Sequence, residues 1–403
     1  MKFKNKRIPQ VIATLLCGLG LQSLALAQDE NTIGAEAYLS IKTWEPSEKY
    51  NAAHFLMVPL YYAYKNNDTK LKAKFNEHIE KFLADDSKNI DIVDFRQRLA
   101  NFQYFYFLSE YAVLARNQEL GDYLLKNIVR VWLDVRGQQW RMPPIPATLR
   151  ERILWKLQAG PEVGYKRIIT DEDIFIFGTA SNLLKLYPEN KTLIDIRDLA
   201  LEVFKQRSEF NAEGGWLFDK GVFDTYPDYA YAGYNSTSNI TKPKPLKNMV
   251  SDSSHFFRMP KILLSLQESY PENSQNYNLY KSYRNGLNQQ FLNKVVHIKN
   301  NKIYLTNYMD GRNGVFRWNY NVKNKGIGPY EQTYSFGMGW WVFLDKKKVK
   351  DLYGSYYRQI KVEDHNCNSL MTLIIINKKR NNLADFLKCE FIYNSYLASK
   401  LDL

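Results

Sequence analysis

A short segment beyond the middle of the chain carries three side chains that could act together on a ligand. Asp252, His255 and Arg258 follow one another at intervals of three residues, so on a helix they would share one face. A carboxylate, a titratable imidazole and a fixed cation at a helix start suit a site that handles an anion. Simpler roles are open for two of them, because Asp252 could be an N-cap and His255 a hydrogen-bonded core histidine.

A further candidate acid or base is Glu331, which follows a Gly- and Pro-containing stretch and precedes an apolar segment. It could act as a general acid or base, or simply favour a helix N-terminus. Together with Asp252 it forms the best carboxylate pair for a glycoside hydrolase. The acidic run Asp171 to Asp173 is interpreted as part of a capping box that begins at Thr170.

Several common kinds of site have no motif in this sequence. There is no zinc motif, no phosphate-binding Gly-rich loop, no nucleophile elbow and no dinucleotide fingerprint. Three cysteines in 403 residues are too few for a disulfide scaffold or a cysteine-built metal cluster. We therefore expect no metal and no cofactor. Cys367 and Cys389 could pair if the chain reaches an oxidising compartment.

Two long connections, residues 211–250 and 307–331, exceed the usual limit of about 12–15 residues for a loop in a compact domain. Both are rich in aromatic residues, whose faces stack on sugar rings or bases, and the second adds Arg and Asn side chains that can form planar hydrogen bonds. We predict that the two loops lie on one side of the molecule and wall a single groove. Alternatively, the aromatic residues only pack against the helical core and hold the loops in place. The aromatic residues of the first loop are Trp216, Phe218, Phe223, Tyr226, Tyr229, Tyr231 and Tyr234.

Helical periodicity dominates from about residue 48 onward. Apolar, aromatic-rich helices alternate with amphipathic, Lys-rich ones, which indicates inner and outer helices in a ring of helical hairpins. A small β-hairpin is predicted around Asn300 and Asn301. The fold class is therefore all-α, with long aromatic loops and one small hairpin. The predicted helices are Ala52–Tyr64, Lys70–Leu83, Asp91–Asn117, Glu119–Leu133, Ala147–Gln158, Thr170–Leu186, Thr192–Ser208, Ser251–Ser269, Ser274–Val295, Gln332–Phe343, Lys346–Ile360 and the stretch Asn368–Leu403.

The start of the chain has the three parts of a secretory signal peptide. A basic beginning is followed by an apolar run over residues 11–26 and by Ala25-Leu26-Ala27, an A-x-A cleavage signal. An uncleaved anchor is the alternative. Cleavage near Ala27 would leave residues 28–403 as a single domain, lower the net charge from +13 to +9, and send the protein to the periplasm or the medium. No other apolar run approaches the ~18 residues of a membrane span.

The chain resembles the secreted (α/α) toroid carbohydrate-active proteins. This group includes several polysaccharide lyase and glycoside hydrolase families and the helical domain of uronate epimerases. The resemblance rests on the helix-pair rhythm over roughly residues 48–360, on the segment Asp252–Arg258, and on residues 313–320 together with Gly339-Trp340-Trp341. It implies an (α/α) toroid, either a six-hairpin or an incomplete ring, and a polysaccharide or oligosaccharide as the partner. Because the chain resembles the group as a whole and no single family in it, the catalytic residues of a family cannot be assigned to positions in this sequence.

The reaction expected from these residues is β-elimination in an anionic, uronate-containing polysaccharide. Arg258 and Asn319 would neutralise the substrate carboxylate, because stabilising the developing charge is usually the largest catalytic term. His255 would be the base, since its ordinary pKa of ~6.5 suits neutral pH. Asp252 would orient His255.

The remaining roles fall to the aromatic loops. Tyr234 or Tyr231 would donate the proton to the leaving oxygen, Trp216 and Trp318 would stack on the flanking sugars, and Arg317 would bind the substrate. Two other functions are open: an inverting hydrolase, or a protein without catalysis that binds glycans or takes part in envelope polysaccharide assembly. Nucleic acid is not expected as a partner, because secretion argues against it although the positive charge permits it.

Overall fold

The structure, a computed structural model, describes residues 32–41, 46–139, 147–236, 240, 242–317, 326–361, 366–380 and 382–403. The predicted signal peptide lies outside these residues, and so do Trp318 and Asn319. Within them, no helix combines the length and the apolar character needed to cross a bilayer.

The described residues are 68% helical, and strands occur among them only as two pairs. The predicted all-α class is therefore confirmed. The helices are α1 (Ile33–Ser40), α2 (Pro46–Lys65), α3 (Thr69–Ala84), α4 (Phe95–Ala115), α5 (Gln118–Leu133), α6 (Leu149–Gln158), α7 (Asp171–Leu183), α8 (Lys191–Arg207), α9 (Ser253–Phe256), α10 (Met259–Glu268), α11 (Gln275–Gln290), α12 (Lys347–Lys361), α13 (Cys367–Asn377) and α14 (Leu383–Lys400), and the strands are β1 (Ser208–Phe210), β2 (Trp216–Phe218), β3 (Val296–Lys299) and β4 (Lys302–Leu305).

The long helices pack on one another in chain order. Helix α2 packs on α4, α4 on α7, and α7 on α10, while the last helix, α14, packs on α2 and α12. Helices α3, α5, α8 and α11 each pack on the helix before them. In α4 the residues from Asn101 to Ala112 are all buried, whereas α5 buries only one stripe. This is the predicted alternation of inner and outer helices, while the toroid itself stays a prediction.

Local sequence signals explain most of the element boundaries. The side chains of Asp68, Asn117 and Asn190 accept hydrogen bonds from the first turns of α3, α5 and α8. The predicted hairpin is present as β3 and β4, with φ values of 52° and 58° at the two asparagines between them. Asparagine tolerates this left-handed conformation, which the tight turn of a two-residue hairpin requires.

Two predicted helices are not continuous. The stretch Gln332–Phe343 forms two 3-10 segments, Glu331–Met338 and Trp340–Leu344, because Gly339 between them has φ 87° and interrupts any right-handed helix. The stretch Ser251–Ser269 divides into α9 and α10, and Pro260 lies in the first turn of α10, where its missing N–H is tolerated.

The end of the chain is helical, as predicted, and closed by a disulfide. Cys367 on α13 and Cys389 on α14 are bonded, with their Cα atoms 5.4 Å apart. A bond closing a loop of this size stabilises a fold by about 3 kcal/mol. The larger hydrophobic core includes residues from Ala35 to Leu401, so both ends of the described chain contribute to it.

Helix α14 also buries a carboxyl group, Glu390. Desolvation raises its pKa well above the ordinary range, so folding favours the protonated form, whereas in the unfolded chain the carboxyl ionises above about pH 4.3. Stability is therefore lost as pH rises above that value. We expect Glu390→Gln to increase the free energy of unfolding by about 1–2 kcal/mol at pH 7 and not at pH 4.

The measurement is urea unfolding of both proteins at the two pH values. Glu202→Gln is the matched control, because Glu202 lies on α8 with its side chain 64% exposed. An equal change in stability at both pH values would contradict the assignment of Glu390 as a protonated buried acid.

Candidate functional site

A cavity of about 580 Å³ lies where the first turns of α4 and α7 meet the two long loops. This volume is within the range of ~300–1,000 Å³ that is typical of small-molecule sites. Helix α4 contributes Phe95 and Leu99, and α7 contributes Asp171. The lining also includes Phe218, Asp219, Phe223, Tyr226 and Tyr229 from the first loop and Phe316 and Arg317 from the second.

The two long loops pack directly on each other. The backbone N–H of Val315 donates to the Tyr234 carbonyl at 2.7 Å. A Cβ atom at Gly314 would lie 1.8 Å from the Ala232 carbonyl oxygen, so only glycine permits this approach. The prediction that both loops lie on one side and wall one groove is confirmed.

Asp252 and His255 form a hydrogen-bonded pair at the start of α9. The Asp252 carboxylate accepts from the backbone N–H of His255 at 2.9 Å, and its two oxygens lie 2.9 and 2.8 Å from His255 Nδ1. The hydroxyls of Ser254 and Tyr229 donate to the same carboxylate at 2.7 and 3.0 Å. Asp252 is therefore both an N-cap and the partner of the imidazole. Its side chain is 2% exposed.

The imidazole of His255 lines the cavity, with 35% of its side chain exposed. Because Nδ1 is held by Asp252, Nε2 is the nitrogen left for a ligand. Burial lowers the pKa of His255, but the charge and the hydrogen bond of Asp252 raise it by more, and the net shift is upward. Burial likewise raises the pKa of Asp252, and the imidazole outweighs this and lowers it.

Arg258 lines the same cavity but is fully engaged by the protein. Its Nε donates to His54 Nε2 at 2.8 Å, and its two terminal nitrogens donate to Asp171 and to the Tyr50 hydroxyl. A buried guanidinium needs such acceptors to offset its desolvation. These contacts do not support the predicted role of Arg258 in neutralising a substrate carboxylate, because its guanidinium is buried and paired with Asp171. Burial and the neighbouring Arg258 lower the pKa of His54, which stays neutral.

Arg317 is the arginine that reaches the cavity from the second loop. Its guanidinium lies 4.4 Å from the centre of the Tyr231 ring, and its Nε is 3.2 Å from Asp228 Oδ1. The side chain remains 21% exposed. Tyr231 supports Arg317 and does not line the cavity itself. Tyr234 does not line it either, and its hydroxyl accepts from the backbone N–H of Lys244 at 3.4 Å.

Two other predicted residues lie away from the cavity. Trp216 is fully buried between Phe204 and Phe256, because β2 places it in the main core rather than on an exposed loop, so it cannot stack on a sugar. Glu331 is exposed at the start of a 3-10 segment, where it accepts from the backbone N–H of Gly328 at 2.8 Å. The predicted carboxylate pair of Asp252 and Glu331 across the groove is therefore not formed.

The acidic run at the start of α7 does more than the predicted capping. The capping box of Thr170 and Asp173 is present, but Glu172 and Asp173 also bind three buried cations. Arg98 Nε donates to Glu172 at 3.0 Å, and Arg152 bridges Glu172 and Asp173, with 2.7 Å to Glu172. Lys156 donates to Asp173 at 2.5 Å. This buried ion network supports the α7 wall of the cavity. The sequence feature that could have predicted this network is the presence of Arg and Lys residues on helix faces that are otherwise apolar.

The electrostatics of the lining favour an anionic ligand. Each of its four carboxylates has a cationic partner on the protein: Arg258 for Asp171, Arg98 and Arg152 for Glu172, Arg207 for Asp219, and His255 for Asp252. Lys166 lines the cavity, is exposed, and forms no ion pair with the described carboxylates. Arg317 is a further accessible cation, and Arg96 also lines the cavity but is paired with Asp94.

Comparison with known proteins finds no family model, no curated protein and no solved structure that matches this chain. The cavity and its charged groups are therefore the features that point to a function.

The effect of Asp252 on the pKa of His255 can be tested without a substrate. We expect the His255 imidazole to titrate with a pKa above about 6.5 and Asp252→Asn to lower this pKa, because burial then acts without the charge and the hydrogen bond of Asp252, while the smaller effects of Asp171 and Arg258 oppose each other. Asparagine retains the N-cap, so the fold should survive. NMR titration of the histidine ring protons measures this directly.

Two buried histidines act as internal controls. Burial lowers the pKa of His78 to about 3 and that of His54 well below its ordinary value, so neither should titrate between pH 5 and 9. A His255 pKa that is unchanged in Asp252→Asn would show that the pair is not formed in solution.

Proposed function

We propose that the cavity is the active site of a secreted enzyme that cleaves an anionic, uronate-containing polysaccharide by β-elimination. The observation that carries this proposal is the geometry of His255: Asp252 holds Nδ1, and Nε2 is left for a ligand in a cavity whose accessible charged groups include the cations Lys166 and Arg317. An imidazole oriented in this way is a suitable general base near neutral pH.

In the proposed reaction, neutral His255 takes the proton from the carbon next to the substrate carboxylate through Nε2. The carbon–oxygen bond of the adjacent linkage breaks, and a carbon–carbon double bond forms. Only the neutral imidazole can accept a proton, and its raised pKa keeps it protonated up to a higher pH than usual. We therefore expect the rate to rise with pH through that pKa. Asp252 holds the ring and stabilises the imidazolium after proton transfer.

The other roles pass to different residues from those that the sequence suggested. Arg317 and Lys166 would neutralise the substrate carboxylate in place of Arg258. The leaving oxygen would take its proton from a tyrosine in the lining, Tyr165 or Tyr226, whose rings lie 5.1 Å apart.

A hydrolase is the second candidate, and one observation favours it. Asp171 lines the cavity and remains 24% exposed beside Arg258, so a carboxylate is available there. It would replace Glu331 in the hydrolytic mechanism.

The proposed location, the periplasm or the medium, is supported by the disulfide between Cys367 and Cys389, since such bonds persist in oxidising compartments. The basic and apolar start of the sequence agrees with it.

The test is to incubate the protein with alginate, polygalacturonate, hyaluronan and heparan sulfate and to follow the ultraviolet absorbance of the unsaturated product. An increase in absorbance that His255→Gln abolishes is the expected result. New reducing ends without absorbance would move the assignment to the hydrolase with Asp171. Binding with neither signal would indicate a non-catalytic glycan-binding protein.

A further inference from the structure

The cavity wall is more apolar than a bare sugar requires. Eleven of its 27 lining residues have apolar side chains, and four more are tyrosines. Some of the apolar side chains, such as Phe175 and Phe256, are already buried by the protein. The apolar side chains that the protein leaves partly exposed are the ones that a ligand must cover.

Three apolar side chains are only half-buried and line the cavity. Phe95 and Leu99 lie four residues apart on the first turns of α4, so they share one face, and Ile168 lies just before α7. We call these three residues the apolar wall. The cavity is also lined by the accessible cations Lys166 and Arg317 and by His255 of α9, whereas Arg96, next to Phe95 on α4, is paired with Asp94.

A sugar ring could stack on Phe95, but it is a poor match for the whole apolar wall. Its hydroxyl groups would lose water there and gain no hydrogen-bonding partner from Phe95, Leu99 or Ile168, which costs free energy. An alkyl or aryl group would instead remove both its own surface and that of the wall from water, which is favourable in proportion to the area buried.

We propose that the ligand of this cavity is amphipathic: a sugar acid whose carboxylate is bound at Arg317 and Lys166, beside His255, and whose alkyl or aryl substituent packs on the apolar wall. The sugar part of this inference rests on the proposed function, whereas the apolar part rests on the wall alone. The substrate class is therefore a uronate with an acyl, alkyl or aromatic substituent, rather than an unsubstituted uronate chain.

Three simple glycosides separate the two parts of the ligand. Octyl β-D-glucuronide has both a carboxylate and an alkyl chain, methyl β-D-glucuronide keeps the carboxylate, and octyl β-D-glucoside keeps the chain. Binding is measured by calorimetry below the micelle concentration, and by the shift of the His255 ring resonances. We expect the octyl glucuronide to bind at least about tenfold more tightly than either other ligand, since burial of only two CH₂ groups supplies such a factor.

Substitutions assign each part to its residues. Leu99→Gln should remove most of the advantage of the octyl chain and leave the affinity for methyl glucuronide unchanged. Arg317→Gln should weaken both glucuronides and leave octyl glucoside unchanged. Leu114→Gln is the matched control, because Leu114 is a partly buried leucine of α4 that does not line the cavity.

The outcomes distinguish this inference from the proposed function. Equal affinities for methyl and octyl glucuronide, or no binding of any of the three, would overturn the inference even if a uronate polysaccharide is cleaved. Octyl glucoside binding as tightly as octyl glucuronide, with no effect of Arg317→Gln, would leave an apolar site but remove the anionic part and, with it, the support for the proposed function.

Discussion

Replacing His255 with glutamine is expected to lower the rate of substrate cleavage by at least about 10²-fold, the lower end of what a positioned general base contributes. Glutamine retains hydrogen-bonding groups near Asp252 but cannot accept a proton at neutral pH. Substrate affinity should change little, because the carboxylate is bound by Arg317 and Lys166 and not by the imidazole. The measurement is kcat and KM on whichever polysaccharide of the panel is cleaved.

His297→Gln is the control for this experiment, because His297 is exposed on β3 and does not line the cavity. It should leave both constants unchanged. If His255→Gln retained more than a tenth of the activity, His255 would not be the base, and Tyr165 or Tyr226 would take its place as the residue to test.

Replacing Arg152 with methionine is expected to cost about 3–5 kcal/mol of unfolding free energy, the usual effect of removing one partner from a buried ion pair. Arg152 bridges Glu172 and Asp173 in full burial, so its loss leaves two buried carboxylates with fewer cations. Burial raises the pKa of Asp173, and Arg152 and Lys156 overcome this and lower it. The contribution of Asp173 to stability is therefore present above the ordinary pKa of a carboxyl and lost as pH falls below it.

The matched control lies two residues earlier on the same helix. Arg150 pairs with Asp195, but the two side chains are 39% and 37% exposed, and an exposed pair is worth ~0–1 kcal/mol. Urea unfolding at pH 7 of Arg150→Met and Arg152→Met should therefore give clearly different midpoints. Equal losses would show that the buried ion network does not hold the α7 wall of the cavity.

The local features of this protein were predictable from its sequence, because they depend on neighbours in the chain. The spacing of Asp252 and His255 predicted their contact, and the asparagine pair predicted the β-hairpin. Helix periodicity predicted most helices to within a few residues, and the unusual length of the two loops predicted that they have a shared role.

The sequence-based predictions were wrong where a side chain packs on or hydrogen-bonds to a residue far away in the chain, or where the backbone conformation is unusual. Asp171, the partner of Arg258, lies 87 positions away in the chain, and no local pattern connects the two. Trp216 was expected at the surface because its loop is long, but a short strand returns that part of the chain to the core. The helix predicted after Glu331 was wrong because apolar periodicity does not reveal the left-handed conformation of Gly339.

The packing of α14 on α2 has a consequence for how the chain is made. Phe55 of α2 contacts Phe391 of α14, with ring centres 5.3 Å apart, and Arg380 pairs with Glu48 across 332 positions of sequence. At a synthesis rate of about 5–20 residues per second, tens of seconds pass between the emergence of α2 from the ribosome and that of α14. During that time the apolar face around Phe55 has no partner from α14 and can associate with other unfolded chains. Truncation of the last 20 or so residues would make that exposure permanent.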